Sequence, residues 1–134
     1  MLLDAGPLVA WIDRGDPHHA RVKAFMDGFD GRLLSTWPVL TEACQQIPEK
    51  LVPRLMQWVA RGGVDVVEMP GAVAGTFATR MEARRSDMPM DLADASLLWL
   101  AESTGATEVA TLDQQGEGFY RTDRARTLRN VVDA

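Results

Sequence analysis

Acidic residues stand where apolar segments of this chain stop. Asp4 follows Met1-Leu2-Leu3, and Asp113 follows Ala110-Thr111-Leu112. Glu42 lies inside the mostly apolar run Pro38-Val39-Leu40-Thr41-Glu42-Ala43-Cys44, and Asp91 and Asp94 belong to the helical stretch Asp91-Leu92-Ala93-Asp94-Ala95-Ser96-Leu97-Leu98. An ionised carboxylate beside a core is costly unless it is paired or holds a metal. Acids spread along the chain, each at an element terminus or on an apolar face, therefore imply one shared pocket with a divalent cation as its neutraliser. The donors are all oxygen, which favours Mg²⁺ or Mn²⁺. No histidine occupies these positions, which argues against zinc and non-haem iron.

The elements that must position these acids alternate along the chain. Met1 to Leu3 reads as a short buried strand, and Gly6-Pro7 turns into a helix running to about Asp13, with Pro7 in a first turn that needs no N–H. Asp16, as N-cap, and Pro17 open a second helix whose apolar stripe is Ala20, Val22, Phe25, Met26 and Phe29. Leu33 to Thr36 is a second strand. Pro38 opens the helix that carries Glu42, and Pro48 separates it from another, Lys50 to Arg61, ended by Gly62-Gly63. Val64 to Val67 is a third strand. A helix from about Val73 to Arg85 follows, then Pro89 as a breaker, then a helix from Asp91 to Ser103 ended by Gly105. Thr107 to Leu112 is a fourth strand, and Thr127 to Val132 is able to add a fifth.

Strands joined by helices predict an α/β fold, a three-layer α/β/α arrangement around a mainly parallel sheet of four to five strands. Ligands of such sheets bind beyond the carboxyl ends of the strands. Asp4 and Asp113 are each the first acid past such an end, and Glu42 sits about one turn into a helix that follows another. Asp91 and Asp94, three apart, share a helix face. Each acid also has a purely structural reading. Asp91 suits an N-cap, Asp94 a favourable place in the helix dipole, Asp113 a turn before Gln114-Gln115-Gly116, and Glu42 a solvated face. The set carries more weight than any member, because one rim would gather all of them.

Length and composition set outer limits. The chain has 134 residues, enough for one domain over 1–134. Its formal charge of −5 argues against a protein that grips nucleic acid over its whole surface, though not against a local basic rim. With one cysteine there is neither a disulfide framework nor a thiolate zinc site. No apolar stretch approaches a membrane span, and Asp4 interrupts any signal-peptide core, so a cytoplasmic location is the expectation.

The motifs resemble those of the PIN-domain nucleases, especially the small VapC-type toxins of bacterial toxin–antitoxin pairs. The resemblance covers essentially the whole chain. It runs through Leu3-Asp4-Ala5-Gly6-Pro7-Leu8-Val9-Ala10, Asp16-Pro17-His18-His19-Ala20, Ser35-Thr36 with Leu40-Thr41-Glu42-Ala43, Met90-Asp91-Leu92-Ala93-Asp94-Ala95-Ser96-Leu97, Thr111-Leu112-Asp113 and Phe119-Tyr120-Arg121. It implies that Asp4, Glu42, Asp94 and Asp113 are catalytic and bind the metal, with Asp91 an additional carboxylate at the pocket edge. The implied activity is that of an Mg²⁺- or Mn²⁺-dependent endoribonuclease, with RNA as substrate, an antitoxin protein as partner, and a homodimer as a possible assembly. The chain departs from the family after Asp113: Gln114-Gln115-Gly116-Glu117-Gly118-Phe119 stands where a second acid and a phenylalanine commonly follow, which leaves the role of Glu117 open.

Other residues bear on substrate and partners. Thr111 offers a hydroxyl near a scissile phosphate, or simply fills a strand position. Twelve of the fourteen basic residues are arginine, a type suited to bidentate phosphate contact. Arg80, Arg84 and Arg85 cluster on one helix, and Arg121, Arg124, Arg126 and Arg129 crowd the tail, although charge runs are commonly solvated faces. The four tryptophans read as core or interface anchors, with Trp11, Met56 and Trp58 candidates for a groove that takes an antitoxin helix or a second subunit. His18 and His19, at the start of a surface helix, carry no ligand role. Two other readings compete with the nuclease. A receiver-like phosphoacceptor also gathers acids on an α/β rim, but it needs a late lysine, and the lysines here are Lys23 and Lys50. A catalytically silent PIN-like binding module would tolerate loss of acids, and none of the expected ones is missing.

Overall fold

A computed structural model of the chain describes residues 1–86, 89–112 and 129–130. The strands β1 (Leu2–Leu3), β2 (Leu34–Ser35), β3 (Asp65–Val66), β4 (Glu108–Ala110) and β5 (Arg129–Asn130) form one sheet in the order β3-β2-β1-β4-β5, every pair parallel. The helices among the described residues are α1 (Ala5–Ile12), α2 (His19–Asp27), α3 (Trp37–Gln46), α4 (Val52–Ala60), α5 (Ala74–Ala83) and α6 (Leu92–Thr104), with short 3₁₀ turns at Glu49–Leu51 and Gly71–Val73. This is the three-layer α/β/α arrangement expected from the alternation, and β5 falls inside the expected tail strand.

The central strand shows why the layers form. Successive side chains of a strand point to opposite faces, yet Leu2 and Leu3 are both fully buried. Both faces of the sheet are therefore covered, as parallel sheets require. Helix α6 is buried almost all round, through Ala93, Ala95, Ser96, Leu97, Leu98, Leu100 and Ala101, and packs against β1, α3 and α5. Gly105, at φ 74°, ends it in the left-handed conformation that glycine adopts without a Cβ clash.

Chain order fixes where a ligand would lie. From β1 the chain moves outward to β2 and β3, then returns to the other side of β1 with β4. The reversal falls between β1 and β4, and the crevice beyond the carboxyl ends of those strands is the topological switch point. Asp4 stands at that point.

One local expectation is corrected. Asp16 does not cap the second helix: its Oδ1 accepts the N–H of His18 at 2.8 Å, closing a side-chain turn, and α2 begins later, at His19, with no side-chain cap. The start of α2 is held by another contact, in which His19 Nδ1 donates to the carbonyl of Ala10 in α1 at 2.6 Å.

Candidate active site

The site is built outward from Asp4, the residue after β1 and the N-cap of α1. Its N–H donates to the carbonyl of Ala110, the last residue of β4, at 3.0 Å. Its Oδ1 accepts the N–H of Ala5 at 2.7 Å, and its Oδ2 accepts the Thr111 hydroxyl at 2.8 Å. Both oxygens of this carboxylate are thus oriented by neighbours on two chain segments. Thr111 is 1% exposed. Its hydroxyl donates to the Asp4 carboxylate, a contact that neither the scissile-phosphate reading nor the strand-filling reading of the sequence named. Close packing here depends on Gly6, where a Cβ would lie 3.3 Å from Leu112 Cβ, tighter than side chains ordinarily approach.

The second wall comes from the starts of α3 and α6. Asp91 is the N-cap of α6: its Oδ1 accepts the Asp94 N–H at 2.8 Å, while Asp94 Oδ2 accepts the Asp91 N–H at 3.3 Å, a reciprocal capping box. The helix-start reading of both residues therefore holds, and each still carries a carboxylate on the rim side of α6. Glu42, half-buried on α3, accepts from Gln46 Nε2 at 3.3 Å.

A buried chain of hydrogen bonds locks these helix starts together. The Val39 N–H reaches Thr36 Oγ1 at 3.4 Å, Thr36 and Ser96 share a bond of 2.6 Å between hydroxyls, and the Ser96 hydroxyl donates to the Ala93 carbonyl at 2.7 Å. Since the Ser96 proton goes to Ala93, Thr36 donates to Ser96 and its own oxygen is left to accept from Val39. Ser35 adds a bond from its hydroxyl to the Leu3 carbonyl at 2.9 Å, beside Asp4. Thr36 and Ser96 each fall within a motif of the sequence, but their pairing is not legible there, because two residues sixty apart leave no local pattern.

The carboxylates feel one another. Asp94 is pushed up to about 7, first by burial, then by the charges of Asp91 and Asp4. Glu42 is also raised, by burial first and then by Asp91 and Asp4. Acids from the β1 end, α3 and α6 thus share one electrostatic field, with like charges held against repulsion. Among the described residues no group of three acidic, histidine or cysteine side chains is close enough together to hold a metal ion by itself. Asp113 and Glu117 lie outside the described residues. An all-oxygen set of this kind still fits Mg²⁺, which is commonly held by one or two carboxylates with the remaining positions left to water and substrate phosphate.

Of the arginines considered above for phosphate contact, Arg80 is placed differently. Arg80 is buried and pairs with Glu102 at 2.5 Å, joining α5 to α6, so it is a structural residue rather than part of an exposed substrate cluster. Arg85 pairs with Glu82 on its own helix at 3.5 Å. Arg121, Arg124 and Arg126 lie outside the described residues. Trp11 and Trp58 pack against each other with ring centroids 6.4 Å apart, and both line a cavity of about 500 Å³ with Met26 and Phe29.

The sequence model of the PIN domain matches residues 1–125. A solved structure, VapC20 of Mycobacterium tuberculosis, described as a toxin cleaving the sarcin–ricin loop, superposes with a TM-score of 0.73 at 13% identity, over 84% of this chain and 88% of that one. No curated protein sequence matches the chain.

Proposed function

The chain belongs to the PIN-domain family, and from that premise we propose that it is a metal-dependent endoribonuclease, the toxin of a bacterial toxin–antitoxin pair acting in the cytoplasm. What supports the reading is Asp4, oriented at both oxygens at the switch point of the sheet, together with the charge that it and Asp91 exert on Glu42 and Asp94. Asp4, Asp94 and Asp113 would hold Mg²⁺ or Mn²⁺, with Asp91 at the edge of the pocket. When bound, such an ion lowers the pKa of water and stabilises charge on a leaving oxygen.

The protein groups divide the remaining work. Asp4, fixed at both oxygens, supplies an orientation that does not have to be found during reaction. Glu42 is raised by burial and by neighbouring acids, which places it closer to neutral pH, where a carboxylate can take a proton from the attacking water. Thr111 orients Asp4. Thr111→Val keeps the shape and removes the donor, so cleavage should fall by about 10- to 100-fold with little change in the unfolding midpoint. Thr111→Ser should restore most of the rate.

Incubation of the purified chain with RNA in Mg²⁺ or Mn²⁺ tests the activity itself. Internal cutting that stops in EDTA and returns with added metal is expected. Cleavage that persists in EDTA, or none under any metal, would remove the assignment.

A further inference from the structure

Two large hydrophobic side chains stay exposed among the described residues: Trp37, at 52%, and Leu92, at 50%. They are not scattered. Both line one cavity of about 650 Å³, together with Thr41, Glu42, Gln45 and Asp91. Trp37 is the first residue of α3 and Leu92 the first of α6, and the Thr36–Ser96 bond holds those two helix starts side by side. The core stripe of α3 is Val39, Leu40 and Ala43, continued by Ile47 beyond its end, and Trp37 falls off that stripe at helical spacing. An exposed apolar pair rimmed by polar groups marks a place where something binds.

The chemistry of the lining selects the occupant. Among the described residues no lysine or arginine lines the cavity, while Glu42 and Asp91 do. A phosphate or an acidic peptide would be repelled there. What fits is a neutral, flat group with a hydrogen-bonding edge. The indole supplies a stacking face, Leu92 a second apolar contact, and the exposed Gln45 carboxamide both a donor and an acceptor. A nucleobase has those properties, and the cavity adjoins the carboxylates at which an RNA phosphodiester would be cut.

We propose that Trp37 and Leu92 form a nucleobase-stacking subsite, with Gln45 at the base edge, which holds one unpaired base of RNA beside the scissile phosphate. The inference rests on the ribonuclease reading and deepens it. A base inside a duplex is already stacked on its neighbours, so the subsite takes single strands and loops and excludes helical RNA.

The test uses the full chain in EDTA, with a short single-stranded RNA of mixed sequence and the same strand annealed to its complement as probes. Tryptophan fluorescence should be quenched by the single strand and not by the duplex, and Trp37→Phe should lose most of that signal while keeping most of the affinity. Trp37→Ala should weaken binding by about 5- to 150-fold, the range that base–aromatic stacking commonly supplies. In cleavage assays with Mn²⁺ the same variant should raise KM and leave kcat within a few-fold, and Leu92→Ala should do so more mildly. Unchanged KM and quenching in Trp37→Ala, in a chain whose wild type cuts RNA, would overturn the subsite while leaving the nuclease standing. A Trp37→Ala variant that changes oligomeric state by light scattering, with RNA affinity intact, would overturn it in favour of a protein interface. A wild-type chain that neither binds nor cuts RNA removes both.

Discussion

Asp4→Asn is expected to reduce RNA cleavage by at least about 10²- to 10³-fold, the loss typical of removing one preorganised charge from a reaction centre. The substitution is nearly isosteric. An asparagine oxygen still accepts the Ala5 N–H, and asparagine remains a good N-cap for α1, so the fold has no reason to fail. Thr111 meets an amide in place of Oδ2, and its hydroxyl can turn to accept from it. What disappears is negative charge at the switch point. Single-turnover cleavage with Mn²⁺, read beside a denaturant midpoint, separates the two effects. Near-wild-type cutting by Asp4→Asn would show that the reaction is organised elsewhere.

Asp94→Asn should lose activity and, in the absence of metal, gain stability. Asp94 titrates near 7 in the folded chain against an ordinary value of 3.8. Between those values the folded state binds more protons than the unfolded one, so stability falls as pH rises from about 4 to about 7. The favourable contribution is fully present below that window and lost above it. Asparagine has no such dependence, and its side-chain oxygen still accepts the Asp91 N–H of the capping box. Asp94 is only partly buried, and solvent screening trims the benefit, leaving a gain of about 1 kcal/mol at pH 7.5 in EDTA. Urea unfolding from pH 4 to 8 should show a flatter profile for the variant, and added Mg²⁺ should raise the midpoint of the wild type alone. A variant less stable than wild type in EDTA at pH 7.5 would mean that Asp94 is held by favourable contacts rather than against its neighbours' charge. Stability gained at the cost of activity is the usual mark of a residue kept for function.

The two effects explain which parts of the site were legible. Asp4 could be read because a polar residue ending an apolar strand is a local pattern, whereas the strand order that sets β1 beside β4 is fixed by tertiary packing and is not given by the α/β alternation. Asp91 and Asp94 were readable as helix-start residues and as carboxylates of a shared pocket, and the structure bears out the helix-start geometry of the pair, which share one capping box. Pairings between residues distant in the chain are not legible in the sequence. Thr36 and Ser96 meet only because α3 and α6 start side by side, and Arg80 belongs by its sequence to an arginine cluster but by its packing to an ion pair with Glu102 across the helix pair. Asp16 misled for a related reason: one side chain can cap a helix or close a turn, and the local sequence suits both. The residue type of Trp37 points to an anchor, and its position off the α3 core stripe is the signal in the sequence for its exposure.

Titration of Mn²⁺ into the metal-free chain near pH 7, followed by calorimetry in buffers of different ionisation enthalpy, tests the shared carboxylate pocket most directly. Saturable uptake is expected, with proton release from a group titrating near 7 and with affinity lowered at least about tenfold in Asp4→Asn. Absence of uptake, or identical isotherms for wild type and Asp4→Asn, would contradict it.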